Sequence, residues 1–249
     1  MKTIVLIIIL LMVVVFTVLG QSSTGFVWDE NNGLITITGY NSTDLDVVIP
    51  AEINGMPVVA IGNSAFYFNQ LASPRSPNRS RNNQITSITF PNNVTSIGDS
   101  AFYGNQLTSV TIPDSVTSIG AHAFANNQLT SVTIPNNITS IETNTFNSNQ
   151  LKSITIPDSI TSIGGGAFGY NQLTSITIPN NVTSIGLAAF QSNLLTSITI
   201  GANVSLALST ITGNGPFGNG FEAAYINGGR QAGTYTLTGG TWVRAALTF

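Results

Sequence analysis

The sequence contains no cysteine in 249 residues, which excludes disulfides, thiolate metal sites, cysteine nucleophiles and a lipidated N-terminal cysteine. Charge is nearly as scarce. Asp, Glu, Lys and Arg make up 7% of the chain, against roughly 25% in an average globular protein. Seven basic residues beside ten acidic ones cannot supply the dense positive footprint that phosphate backbones demand, which argues against nucleic acid as a partner. The one histidine, His122, has no second histidine and no cysteine to pair with, and a general base needs an orienting partner and a cleft. Asp114 and Asp158 occupy equivalent repeat positions about 10 Å apart, too far for one Ca²⁺ with ligands at about 2.3–2.6 Å. No catalytic residue, metal site or cofactor is therefore assigned, and the chain is not read as an enzyme. In the place of charge stand 27 Asn, 25 Ser and 31 Thr, so the surface has to be built from neutral hydrogen-bonding groups. Disorder does not follow, because 42% of the residues are hydrophobic and they recur at regular spacing.

Long apolar runs are also missing, with one exception at the start. Lys2 is followed by Thr3 through Leu19, almost purely apolar, ending at Val18-Leu19-Gly20 before polar Gln21-Ser22-Ser23. A positive start, an apolar stretch and small residues at a break predict a signal peptide over 1–20, with a retained anchor as the competing reading. Either way the remainder is expected to be exported, secreted or at the cell surface. No later segment is apolar for long enough to span a membrane as a helix.

Self-similarity dominates the rest. Pro91, Pro113, Pro135, Pro157 and Pro179 recur every 22 residues, as do Phe102, Phe124, Phe146, Phe168 and Phe190, and Asn105, Asn127, Asn149, Asn171 and Asn193. Within the unit from Asn105 to Phe124, the inward candidates are Leu107, Val110, Ile112, Val116, Ile119, Ala123 and Phe124; Thr145 breaks the apolar rule in its copy. Val110-Thr111-Ile112 alternates as a strand does, and Pro113 can end it. Spacings of three and four then turn the chain back over its own core. A lone unit of this size cannot close a core, so the units must stack into a solenoid. After each proline, Asn-Asn alternates with Asp-Ser, a 44-residue period inside the 22-residue one.

The expected fold is a mainly β repeat solenoid over 47–204, with an insertion at 72–85. An N-terminal cap hairpin over 21–46 is read from the Asn32-Gly33 turn and the alternating Leu34-Ile35-Thr36-Ile37. A C-terminal cap over 205–249, also a β-hairpin, is read from Thr234 to Thr238 followed by Gly239-Gly240 and Trp242.

The units IPDSVTSIGAHAF and IPAEINGMPVVAIGNSAF, with the tail GGRQAGTYTLTGGTW, resemble the BspA-like leucine-rich repeat family of exported bacterial proteins, including its treponemal type. The resemblance implies a leucine-rich repeat solenoid in which LTSVTIP is the concave-face strand, and an adhesin-like protein that binds host or neighbouring-cell components. The family often has cysteine and a 23-residue unit, where this chain has Asn and 22 residues.

Three features are candidates for contact with a partner. Ser109 and Thr111 flank inward Val110 and point outward. The pair recurs at Ser87 and Thr89, Ser131 and Thr133, Ser153 and Thr155, Ser175 and Thr177, and Ser197 and Thr199, a two-column hydroxyl lattice about 24 Å long at about 4.8 Å per coil. Lys152 interrupts the neighbouring threonine column of Thr108, Thr130, Thr174 and Thr196. The insertion carries Arg75, Arg79 and Arg81 without an acid, a basic loop at the rim of the face that suits an acidic glycan or protein. The leading expectation is an interaction protein for a protein or glycan at the cell surface. Ordered Ser-x-Thr columns also fit an ice- or crystal-surface binder, and a purely structural surface protein would carry the same repeats. The asparagine column has a different expected task, as a ladder of side-chain amides satisfying turn backbone in the next coil.

Overall fold

The computed structural model describes residues 20–21, 25–67, 84–207, 215, 217 and 220–245. Each 22-residue unit makes one coil with two short strands. In one coil these are Ser109–Thr111 and Ser118–Ile119, separated by the turn that Pro113 opens, with Val116 N–H donating to its carbonyl at 3.0 Å. Parallel pairing with the same residues of the neighbouring coil, Ser118 beside Ser96 and Ser131 beside Ser109, sets a register of one repeat per coil. The seven positions expected to point inward are all buried in that unit, and the equivalent residues of every described coil form one continuous core.

After the second strand the chain passes through two tight turns. Ser100, His122, Asn144, Gly166 and Ala188 hold φ between 54° and 64°, and Asn126, Ser148, Tyr170 and Ser192 hold 55° or 56°. Left-handed backbone suits Asn, Ser and Gly and costs most other residues about 1–2 kcal/mol. The requirement explains the small polar bias at these columns and gives His122 its place, as a turn residue. Between the turns the phenylalanine enters the core. Phe124 N–H donates to Thr145 O at 2.9 Å and Phe146 N–H to Ala167 O at 2.9 Å, and the rings stack nearly parallel along the axis. Their centroids lie 5.0, 5.3, 5.7, 5.6, 5.4 and 5.1 Å apart from Phe66 through Phe102, Phe124, Phe146, Phe168 and Phe190 to Phe217.

The longest of these steps marks a seam. In the Ser-Ile-Gly column a Cβ on Gly98 would stand 2.6 Å from Asn63 N, on Gly120 2.5 Å from Asp99 N, and on Gly164 2.6 Å from Glu142 C. Neighbouring coils are therefore too close there for any side chain. Glu142 breaks the column, and at its coil the ladder opens. Thr117, Thr161 and Thr183 each donate N–H to the threonine carbonyl one coil back at 2.9 Å, and Gly120 and Gly164 donate to Ile97 O and Ile141 O at 2.8 and 2.7 Å. Thr139 and Glu142 make neither bond, and strands Ser118–Ile119 and Ser140–Ile141 lie in separate sheets. The Cβ of Glu142 supplies the cause, because it needs space that glycine leaves to the preceding coil. Thr145, the exception among the inward residues, stays in the core at 1% exposure by donating its hydroxyl to Glu142 O at 2.9 Å.

The asparagines of the 44-residue period have a repeated contact. Asn137 and Asn181 reach back with Nδ2 to Asp114 O and Asp158 O at 2.7 and 2.6 Å. In the alternate coils the serine contact does not repeat: Ser115 Oγ donates to Val94 O at 2.6 Å, whereas the buried Ser159 Oγ has no hydrogen-bond partner.

The two ends are closed on different faces. Phe26–Asn31 and Leu34–Tyr40 form the expected N-terminal hairpin, and Leu34–Tyr40 pairs in parallel with Met56–Ile61, extending the Ser-Ile-Gly ladder. At the far end Gly233–Thr238 pairs antiparallel with Ser197–Ile200 and forms a hairpin with Thr241–Arg244, extending the Ser-x-Thr ladder. The sequence reading of this cap as a hairpin was incomplete, because Phe221–Asn227 is an α-helix. The helix buries Phe221 and Tyr225, four residues apart, against Phe217, Tyr235 and Trp242, ending the aromatic column. Tyr225 Oη accepts from Val204 N–H at 3.0 Å and donates to Gly201 O at 2.7 Å, which docks the cap on the last coil.

Burial is the main cause that pushes the Tyr225 hydroxyl above its ordinary pKa. A raised pKa means that the neutral form stabilises the fold. That stability is complete below the unfolded-state value near 10 and is lost as pH rises through the folded-state value. Tyr225→Phe is expected to lower stability at neutral pH by about 1–3 kcal/mol, from the two buried groups left unmet, and to flatten the alkaline limb of a thermal-midpoint-against-pH profile. An unchanged alkaline limb would place that sensitivity elsewhere.

Candidate functional site: a neutral face on an amide spine

The asparagine column does what its recurrence suggested, with one change of direction. Asn149 Oδ1 accepts from Leu129 N–H at 3.0 Å, and its Nδ2 donates to Phe124 O at 3.0 Å and Phe146 O at 3.1 Å. Asn105, Asn127 and Asn171 repeat this pattern, and all four are buried. Each amide therefore reaches the preceding coil as well as its own, where the sequence reading had the following one. The reason lies in the turn. Asn149 comes after Phe146, so its side chain meets the carbonyls of two stacked phenylalanines. This spine consumes the buried asparagines and leaves the outward hydroxyls as the surface.

Ser87, Thr89, Ser109, Thr111, Ser131, Thr133, Ser153, Thr155, Ser175 and Thr177 are exposed. The strands beneath the lattice are interrupted between Ser87–Thr89 and Ser109–Thr111, which lie in separate sheets, and one further coil departs from expectation. Five of the six Ser-x-Thr segments are strands, but Ser153-Ile154-Thr155 is not, and it pairs with neither Ser131–Thr133 nor Ser175–Thr177. Lys152 stands at the head of that segment and is exposed. On its flanks Thr130 and Thr196 donate N–H to Thr108 O and Thr174 O at 3.1 and 2.9 Å, a bond that Lys152 does not make with Thr130. Ile154 and its neighbour Val132 are half-buried, where Val110 and Ile176 are 7% and 3% exposed. The Glu142 seam and the Lys152 gap belong to the same turn of chain, ten residues apart. At the C-terminal end Thr199 and Thr234 exchange a hydroxyl hydrogen bond at 2.8 Å, so the cap carries the hydroxyl surface one strand beyond the array.

Arg75, Arg79 and Arg81 lie outside the described residues. The boundary of the insertion needs correction. Ile85 is 1% exposed in the core and its N–H donates to Asn105 Oδ1 at 3.0 Å, which makes it the equivalent of Leu107 and not the last residue of a loop. Asn69-Gln70-Leu71 and Asn83-Gln84-Ile85 are two copies of one motif, and Asn69-Gln70-Leu71 lies outside the described residues. Among the described residues, no group of three or more His, Cys, Asp or Glu is placed to hold a metal ion. No helix there is long and apolar enough to cross a membrane.

Stacked coils of this length, two strands each, with a buried phenylalanine column and an asparagine spine, define a leucine-rich repeat solenoid. Residues 78–196 match the model of the BspA type leucine rich repeat region in six copies, and that stretch of the array is similar to that family. The chain is similar to a leucine rich cell surface protein of Faecalibacterium prausnitzii at 28% identity, over 78% of this chain and 59% of the other, with a TM-score of 0.51. It is also similar in fold to the pneumococcal vaccine antigen PcpA, at 20% identity and a TM-score of 0.58, over 75% of this chain and 51% of that one. It thus spans less than two thirds of either relative. No curated protein matches the chain.

Proposed function

We propose that this chain is an exported protein, secreted or held at the cell surface, that binds a protein or glycan through its Ser-x-Thr face, with the arginines of the insertion at the rim. It acts by binding and not by catalysis. The observation that carries the reading is the face itself. Ten outward hydroxyl residues on successive coils are exposed, while the amides that could have joined them are spent inside on the spine. A repeated uncharged surface presented on a stiff array is what solenoids offer to partners, and the likeness to the family points to an interaction role. The apolar start and the relationship to a cell surface protein support export.

Capture from surface extracts tests this with three forms of the chain. Wild type is expected to retain a partner, and Thr133→Lys with Ser131→Lys to lose most of it. Deletion of residues 72–85 leaves Leu71 in the register of Ile85, so the core is preserved, and is expected to weaken capture of acidic partners. Equal recovery of every partner by the deletion would remove the arginines from the site, and equal recovery by the double lysine variant would remove the face.

A further inference from the structure

Two cavities of the array open on the other strand face. A groove of about 500 Å³ runs over four coils along the Ser-Ile-Gly column, walled by Ser96, Ser118, Ser140 and Thr139 and ending at Glu142. Beyond Glu142 a second groove of about 300 Å³ continues past Ser162, Ser184 and Gly186. Glu142 lines both and is the sole charged residue lining either. The floor is glycine because the coils touch there, and no sequence motif for binding drew attention to it.

Three properties of the groove select its ligand. The first is its course. The groove is shallow and open, and its lining follows the solenoid axis over three coil steps of about 4.8 Å, about 14 Å in all. An extended chain lying along the axis matches that course. The second is the seam. Thr139 N–H and Thr117 O lack the backbone bond that the threonines at 95, 117, 161 and 183 make. The matching hydroxyl bonds, present from Thr95, Thr117, Thr161 and Thr183 at 3.1–3.2 Å, are missing at Thr139 too. Free donors and free acceptors therefore stand side by side midway along the groove. The third is chemistry. Serine hydroxyls, a carboxylate that accepts from Ser140 Oγ at 2.7 Å and glycine backbone supply the polar groups of the first groove, and Ile61, Ile97 and Ile119, which also line it, are at most 5% exposed. A ligand whose groups both donate and accept satisfies those polar groups, and hydroxyl groups do so.

We propose that the Ser-Ile-Gly face is a second binding site, a groove for an extended neutral glycan chain lying along the solenoid axis, with Glu142 and the opened ladder beside it as the reading point. The carboxylate accepts from sugar hydroxyls, and the unpaired backbone groups of Thr117 and Thr139 exchange water for the same hydroxyls. Because this site lies on the face opposite the Ser-x-Thr lattice, it stands or falls independently of the function proposed above.

The test is titration of the full chain with linear neutral oligosaccharides of glucan, mannan, galactan and xylan, followed by calorimetry and affinity electrophoresis. Oligo-lysine and chitosan oligomers serve as cationic comparators. At least one neutral series should bind saturably. Ser118→Tyr, which fills the groove from an exposed position, should weaken it about tenfold or more, and Glu142→Gln by several-fold. Gln172→Tyr, at an exposed position outside both the grooves and the Ser-x-Thr face, should leave it unchanged. Thermal midpoints verify folding, and Ser184→Tyr in the second groove replaces Ser118→Tyr if that variant is unfolded. Binding of no neutral series, binding of the cationic comparators alone, or equal loss in Gln172→Tyr would each overturn the proposal.

Discussion

Phe124→Ala is expected to cost about 3–5 kcal/mol, the range for removing a fully buried ring, and to do more than lower the midpoint. Phe124 has no exposed surface and stacks on Phe102 at 5.3 Å and on Phe146 at 5.7 Å, so its loss removes two ring contacts and opens a cavity on the axis. In a stacked array stability is a sum of coil terms and nearest-neighbour terms. This coil already lacks one neighbour term, because the Ser-Ile-Gly ladder is open between it and the coil of Glu142. The two halves of the array would then be joined by the parallel pairing of Ser109–Thr111 with Ser131–Thr133, by turn bonds such as His122 N–H to Thr143 O and Asn126 N–H to Asn147 O, both 2.9 Å, and by the amide spine, with no second strand ladder to back them. Calorimetry should show the single transition broaden or split. The equivalent change at Phe168, flanked by a coil paired through Ser162–Ile163 and Ser184–Ile185, should lower the midpoint with less loss of cooperativity. Identical profiles for the two variants would mean that the seam carries no energetic weight.

Asn149→Ala comes next in size. The substitution leaves Leu129 N–H, Phe124 O and Phe146 O without the partners they have at 3.0, 3.0 and 3.1 Å, in a position 8% exposed. Each buried group left unmet costs about 1–3 kcal/mol, offset in part by water entering the space, for a net loss of about 3 kcal/mol. Asn149→Asp separates the bonds from the volume. It keeps the shape and the acceptor but replaces the NH2 donor with a carboxylate facing two carbonyls, and should destabilise at least as much as alanine at neutral pH, recovering as the carboxyl is protonated in acid. Chemical denaturation at two pH values reads both effects. An alanine variant as stable as wild type would show that the column is decoration on a fold held by its apolar core.

The repeat carried most of this architecture in plain view. Seven apolar positions per unit at fixed spacing leave few ways to fold, and Asn recurring beside an inward Leu signals a buried polar group that must be paired. Departures from the repeat were harder to weigh. Lys152 stands out by its charge, yet its effect on pairing depends on how closely neighbouring strands approach. Glu142 sits in the same unit and attracted less notice, although its position in a glycine column was visible; what makes it matter is the distance of about 2.5 Å between a hypothetical Cβ and the coil behind, a quantity set by stacking. The helix Phe221–Asn227 was hidden for a different reason. Seven residues outside the period give little helical pattern, and only Gly228-Gly229 after Phe221 and Tyr225 hint at a helix end. At the insertion the motif Asn-Gln-Leu at 69–71 is echoed by Asn-Gln-Ile at 83–85, and the place of Ile85 in the core is a fact of packing that the spacing alone does not give.

Low charge now has a structural reason. Equivalent side chains of adjacent coils lie about 4.8 Å apart, so a charged column would repel itself along its whole length. Between residues 84 and 207 charge is limited to Asp99, Asp114, Glu142, Lys152 and Asp158, and two of these, Glu142 and Lys152, stand where a ladder opens.

The central claim is that the chain works by binding through its neutral faces. The most direct measurement is binding of the full chain to protein and glycan arrays at low and high salt. The account predicts saturable binding that persists at high salt, because the faces carry almost no charge, with any salt-sensitive part lost on deletion of residues 72–85. Folded chain that binds nothing saturably, or binding that vanishes entirely as salt rises, would contradict it.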